Sequence, residues 1–163
     1  MYNICMRVLG IDPGIARCGW GIITINSSQL TVNNFGCVET KVGEAVEKRL
    51  LVIYKEIKKI ISKYKPDALA VEELFFNTNA KTAFVVGEAR GVVLLTAGEK
   101  NIPVGIYTPL QVKMAITGYG RAEKTQIGQM VKTLLKLKEI PKPDDVTDAL
   151  AVALTHAFTK RFK

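Results

Sequence analysis

The spacing of apolar and polar positions along the chain changes period several times, and each change marks an element. Residues 7–40 are rich in Val, Ile, Thr and Gly, with turn chemistry at Asp12-Pro13-Gly14 and Asn26-Ser27-Ser28. This pattern predicts three strands in a meander. Between Glu44 and Tyr64 the period becomes 3.6: Val46, Leu50, Ile53, Tyr54, Ile57, Ile61 and Tyr64 share a face opposite Lys48, Lys55, Lys58 and Lys59. That is an amphipathic helix, and Pro66 forces its end. Residues 68–72 predict a short strand, residues 79–100 a helix and residues 102–107 a further strand. Two strands joined by a helix make a βαβ unit with parallel pairing. Helices over residues 110–116, 122–135 and 146–160 complete the chain, the last two parted by Pro141-Lys142-Pro143. The elements add up to an α/β fold, a mixed five-stranded sheet with helices on both faces.

Composition narrows this picture. With 163 residues and 48% hydrophobic content, the chain is long enough for one well-buried core and short for two, so a single domain over residues 1–163 is expected. Lys and Arg outnumber Asp and Glu by 23 to 15, a net charge of +8, which favours nucleic acid or another acidic partner. Cys5, Cys18 and Cys37 are odd in number and form no close pair, which fits a reducing cytosol and neither a disulfide framework nor a zinc ribbon. No apolar run approaches the roughly 20 residues that span a bilayer. Met1 to Met6 lack a signal-peptide pattern, so a cytoplasmic protein is expected. Met6 directly precedes the first strand and is an alternative start to Met1.

Four acidic residues stand at the margins of apolar runs. Asp12 closes Val8-Leu9-Gly10-Ile11, Glu72 closes Ala68-Leu69-Ala70-Val71, and Asp145 and Asp148 open the apolar segment of residues 146–158. In open sheets, ligands sit beyond the carboxyl ends of the strands, where Asp12 and Glu72 are both placed. If those strands are parallel neighbours, about 4.8 Å apart, the two carboxylates can share one metal. Asp145 and Asp148, three residues apart, share a helix face. An oxygen-only cluster suits a hard cation such as Mg²⁺ or Mn²⁺. An acidic spot on a basic chain therefore points to metal-dependent chemistry on a polyanion. Taken singly, Asp12 also reads as a turn residue and Asp145 as a helix N-cap. Glu72 is harder to explain away, because a carboxylate ending an apolar strand costs free energy unless it is paired or metal-bound. Glu73 points to the opposite side if the strand continues. His156 lies about 16 Å along the helix from Asp145 and reads as structural.

The motifs Gly10-Ile11-Asp12-Pro13-Gly14, Ala70-Val71-Glu72-Glu73-Leu74-Phe75, Gly87-Glu88-Ala89-Arg90-Gly91 and Asp144-Asp145-Val146-Thr147-Asp148-Ala149-Leu150-Ala151 together resemble the RuvC family of Holliday junction resolvases. Gln111-Val112-Lys113 and Ala122-Glu123-Lys124-Thr125-Gln126 extend the resemblance over nearly the whole chain. It implies an RNase H-like fold, a homodimer, and symmetrical paired nicks in four-way DNA junctions with Mg²⁺ or Mn²⁺, two ions per active site. It assigns the metal to Asp12, Glu72, Asp145 and Asp148, and the basic residues beside the scissile phosphate to Lys113 and Lys124. It makes Phe75 an aromatic pressed against bases near the junction centre, where stacking contributes about 1–3 kcal/mol. The helix carrying Gly87 and Gly91 becomes a dimer interface, and junction-migrating motor proteins are implied as partners.

Other readings compete. A non-catalytic junction-binding protein on the same fold, or a ribonuclease H, would share the elements. A sugar-kinase or actin-like phosphate binder shares the Gly10-Ile11-Asp12-Pro13-Gly14 turn, but those proteins repeat the fold in two domains and this chain lacks the length. On the residues alone Phe75 and Phe76 read as core, and the pair Gly87 and Gly91 as close packing. The terminal Lys160, Arg161 and Lys163 read as a solvated basic tail that can touch phosphate non-specifically.

Overall fold

A computed structural model describes residues 5–27, 29–74 and 80–161. Strands β1 (Cys5–Asp12), β2 (Arg17–Asn26) and β3 (Gln29–Glu39) form the expected antiparallel meander. Strands β4 (Ala68–Glu72) and β5 (Val104–Tyr107) add on parallel to β1, giving the order β3-β2-β1-β4-β5. The mixed five-stranded sheet of the sequence reading is present.

Alternation along the strands divides the core in two. Leu9, Ile11, Ile22, Leu69 and Val71 turn to one face, under α1 (Val46–Tyr64) and α2 (Ala80–Glu99). Val8, Ile23, Ile25 and Ala70 turn to the other, under α3 (Pro109–Thr117), α4 (Lys124–Leu134) and α5 (Asp144–Arg161). Of the 3.6-period stripe on α1, Ile53, Ile57 and Ile61 are buried, together with Ile60. Each such side chain contributes about 1.5–3 kcal/mol on burial.

Several boundaries differ from the sequence reading by one or two residues. Among them, β1 begins at Cys5 and so includes Met6, and α4 runs from Lys124 to Leu134. Two of the shifts have a clear consequence. Strand β5 begins at Val104, because the Ile102 N–H closes the end of α2 on the Ala97 carbonyl and Pro103 has no N–H to give a ladder. Pro103 still accepts from the Leu69 N–H. Helix α5 begins at Asp144, with Asp144 and Asp145 both in its first turn. Asp145 is therefore not the N-cap residue, and that explanation of its presence lapses.

Candidate active site

The strand period decides which way the acidic residues face. On β1, Val8 and Gly10 look toward α5, so Asp12, two residues further, shares their side. On β4, Ala70 does the same and carries Glu72 with it. Ile11 pairs with Val71 in parallel register, which leaves Asp12 and Glu72 side by side at the carboxyl ends of adjacent strands.

Helix α5 reaches those ends because the sheet is bare beneath it. Gly19, paired with Asp12 across the β1–β2 ladder, lies directly under the Asp145 main-chain carbonyl, which a Cβ there would strike. Gly10 lies under the Ala149 carbonyl, and a Cβ on it would stand 2.8 Å from Ala153 Cβ. The helix backbone thus rests on strand backbone. Asp145 and Asp148, on its first turns, come down beside Asp12 and Glu72.

Four carboxylates at one end of the sheet repel one another. Burial, then the fields of Asp148, Asp145 and Glu72, push Asp12 up to about 7 from its ordinary 3.8, against a smaller pull from Lys124. Burial and Asp148 raise Glu72, opposed by Lys113 and Lys124. Asp148 is also raised, chiefly by burial, although a hydrogen bond from Lys124 pulls the other way. Burial works against the charge on Lys124, but that hydrogen bond and the surrounding acids outweigh it and hold the ammonium above its ordinary value.

Two cations pair directly with the helix aspartates. Lys124 Nζ stands 3.0 Å from Asp148 Oδ2 and 3.8 Å from Asp144 Oδ2. Arg17 Nε stands 3.2 Å from Asp145 Oδ2, yet out of hydrogen-bond alignment, so this buried oxygen has no hydrogen-bond donor. A cavity of about 310 Å³ opens beside the acids, lined by Glu72, Lys113, Lys124 and Asp148 with Pro109, Val112, Ile127 and Ala151.

Among the described residues, no three His, Cys, Asp or Glu side chains have their donor atoms gathered as a ligand set. The donor chemistry nonetheless fits a hard divalent cation. It offers carboxylate oxygens only, a buried oxygen without a hydrogen-bond donor, and a repulsion that two positive charges would discharge.

The model of the family "Crossover junction endodeoxyribonuclease RuvC" matches residues 8–156. The chain belongs to the RuvC family. A RuvC relative from Alkaliphilus oremlandii is 55% identical over 157 residues, covering 96% of each chain. One from Caldicellulosiruptor saccharolyticus is 59% identical over 152 residues, 93% of this chain and 92% of the relative. The structure of Thermus thermophilus RuvC in complex with Holliday junction substrate superposes with a TM-score of 0.92 at 40% identity, over 96% of both chains. The RNase H-like fold expected from the motifs is that of this family. RuvC proteins are nucleases of recombination and repair, and they depend on metal.

Within the RuvC frame, Asp12, Glu72, Asp145, Asp148, Lys113 and Lys124 fall at one end of the sheet. Phe75 lies outside the described residues. Glu73 is exposed and stays off the site, its N–H bound to the Tyr107 carbonyl. His156 is buried beneath β5, its Nδ1 2.8 Å from the Tyr107 hydroxyl, as a structural histidine would be. Arg17 is the residue that reading the sequence overlooked. The available signal was alternation, since Arg17 is two residues before Gly19 and faces α5 with it.

Proposed function

We propose that this chain resolves four-way DNA junctions by symmetrical paired nicks, with Asp12, Glu72, Asp145 and Asp148 holding two Mg²⁺ ions, or Mn²⁺ in their place. The observation that carries the reading is the arrival of two helix aspartates beside two strand-end carboxylates in a chain of net charge +8. Held there, a pair of divalent ions would supply an activated water and charge stabilisation for the leaving oxygen of an in-line displacement. The four carboxylates would hold the ions, and the packed strand ends beneath Asp12 and Glu72 fix those two side chains in place. Lys113 and Lys124 line the adjoining cavity, where their ammonium groups offset charge developing on the phosphate. Phe75 supplies the stacking surface at the junction centre.

Incubated with a synthetic mobile junction and Mg²⁺, the protein should give paired nicks at symmetrical positions. Phe75→Ala should lower that yield without lowering the melting temperature. Junctions that stay intact while binding is demonstrated would sink the reading in favour of a non-catalytic binder, and preferential cutting of an RNA–DNA hybrid would favour a ribonuclease H.

Paired nicks call for two active sites, and we assign the homodimer interface to α2. Its Ala89, Val93 and Ala97 face the sheet, while Phe84 and Leu95 stay 69% and 66% exposed and Gly91 meets nothing beyond its own helix. An apolar stripe with a small residue in it suits close helix packing. Sedimentation at twice the monomer mass is expected, reverting to monomer in Leu95→Glu; an unaltered mass would move the interface elsewhere. The same proposal sets the protein in the cytoplasm, working with a motor that migrates junctions.

A further inference from the structure

Arg17 opens β2 at the rim of the acidic site, its side chain 53% exposed and that of Asp145 23%. The two helix aspartates are thereby treated alike: Lys124 bears on Asp148 from one flank and Arg17 on Asp145 from the other. Arg17 also lines a cavity of about 480 Å³ with Gly14, Ile15, Val85, Val86 and Asp145, which neither Lys113 nor Lys124 borders. The guanidinium therefore has open space into which to withdraw.

We propose that Arg17 is an internal counter-cation that competes with divalent metal for Asp145 and so sets the cation concentration at which the site fills. The inference rests on the metal-site reading above and adds a residue to it. Its geometry is that of an occupant which can be displaced. The contact is one Nε facing one carboxylate oxygen, without hydrogen-bond alignment, where a committed arginine–carboxylate pair would be bidentate. A half-exposed pair of this kind contributes little. A divalent ion wins the carboxylate, yet has to displace a charge to do so. Arg17 is in this sense a positioning residue, acting through Asp145.

Calorimetric titration of the full-length protein with Mn²⁺ alone, in the absence of DNA, tests this. Arg17→Gln should bind Mn²⁺ about two- to fivefold more tightly than the unaltered protein, the range set by a weak exposed ion pair. Arg17→Lys should stay within about twofold of the unaltered protein, because it keeps the charge. Thermal melts in chelator confirm that each variant is folded before titration. Equal or weaker Mn²⁺ binding by a folded Arg17→Gln overturns the role of Arg17, provided Asp145→Asn has lost affinity. Should Asp145→Asn bind Mn²⁺ as well as the unaltered protein, the metal-site reading itself falls and the competition falls with it.

Discussion

Replacing Asp12 with asparagine is expected to cut junction cleavage by about 10²- to 10³-fold, the scale on which a single preorganised electrostatic group matters. The same change should make the cation-free protein melt higher. Asp12 is pushed to about 7 in the folded protein against 3.8 ordinarily, so between those values the folded state holds a proton that the unfolded chain has released. Stability from this group is complete below pH 3.8 and is lost as pH rises through about 7. At pH 8 the ionised carboxylate costs about 2–4 kcal/mol in its folded setting, and the uncharged amide avoids most of that. A melting temperature roughly 4–12 °C above the unaltered protein is expected at pH 8 in chelator, shrinking toward zero at pH 4. Added Mg²⁺ should reverse the order by stabilising only the unaltered protein. Scanning calorimetry across this pH range decides it, and a variant that melts lower at pH 8 would mean that burial and the neighbouring acids do not raise Asp12.

Gly19→Val is expected to damage folding and catalysis together. A Cβ at position 19 strikes the main-chain carbonyl of Asp145 and comes within 2.8 Å of the Val146 nitrogen. Both are backbone atoms of the first turn of a helix, and no side-chain rotation clears them. The start of α5 must lift, at about 1–3 kcal/mol or more, and Asp145 lifts with it. Cleavage should fall by a larger factor than the loss of folded protein accounts for. Gly98→Ala gives the contrast, because its added Cβ meets nothing within 4 Å and a helical alanine is favoured over glycine. A Gly19→Val protein of normal stability and normal cleavage would show that α5 does not rest on the sheet at this point.

How far the sequence disclosed this arrangement depended on the kind of contact involved. Asp12 and Glu72 were readable because the signals that end a strand are local: an apolar run, then a carboxylate. The parallel pairing of β1 with β4, conditional in the sequence, is what set the two acids abreast. For Asp145 the sequence left a capping role open, and only the observed start of α5 at Asp144 closed it. Alternation along β2 sets the side on which Arg17 lies, but its partner Asp145 belongs to the last helix, and nothing local in the sequence names that partner. Gly19 was hidden for the same reason. A glycine in a strand announces close approach without naming what approaches.

The seating of α5 on glycines also bears on the order in which the molecule acquires competence. Strands β1 and β4 bring Asp12 and Glu72, but the other two carboxylates travel on the final helix, whose contacts with β1 and β2 join segments far apart in the chain. Contacts of that separation form late, since the loop entropy must be met first. A nascent or half-folded chain carries a divided acid set. In the proposed enzyme, the ability to cut DNA therefore switches on only when the fold is complete, so that an unfinished molecule is harmless to the chromosome.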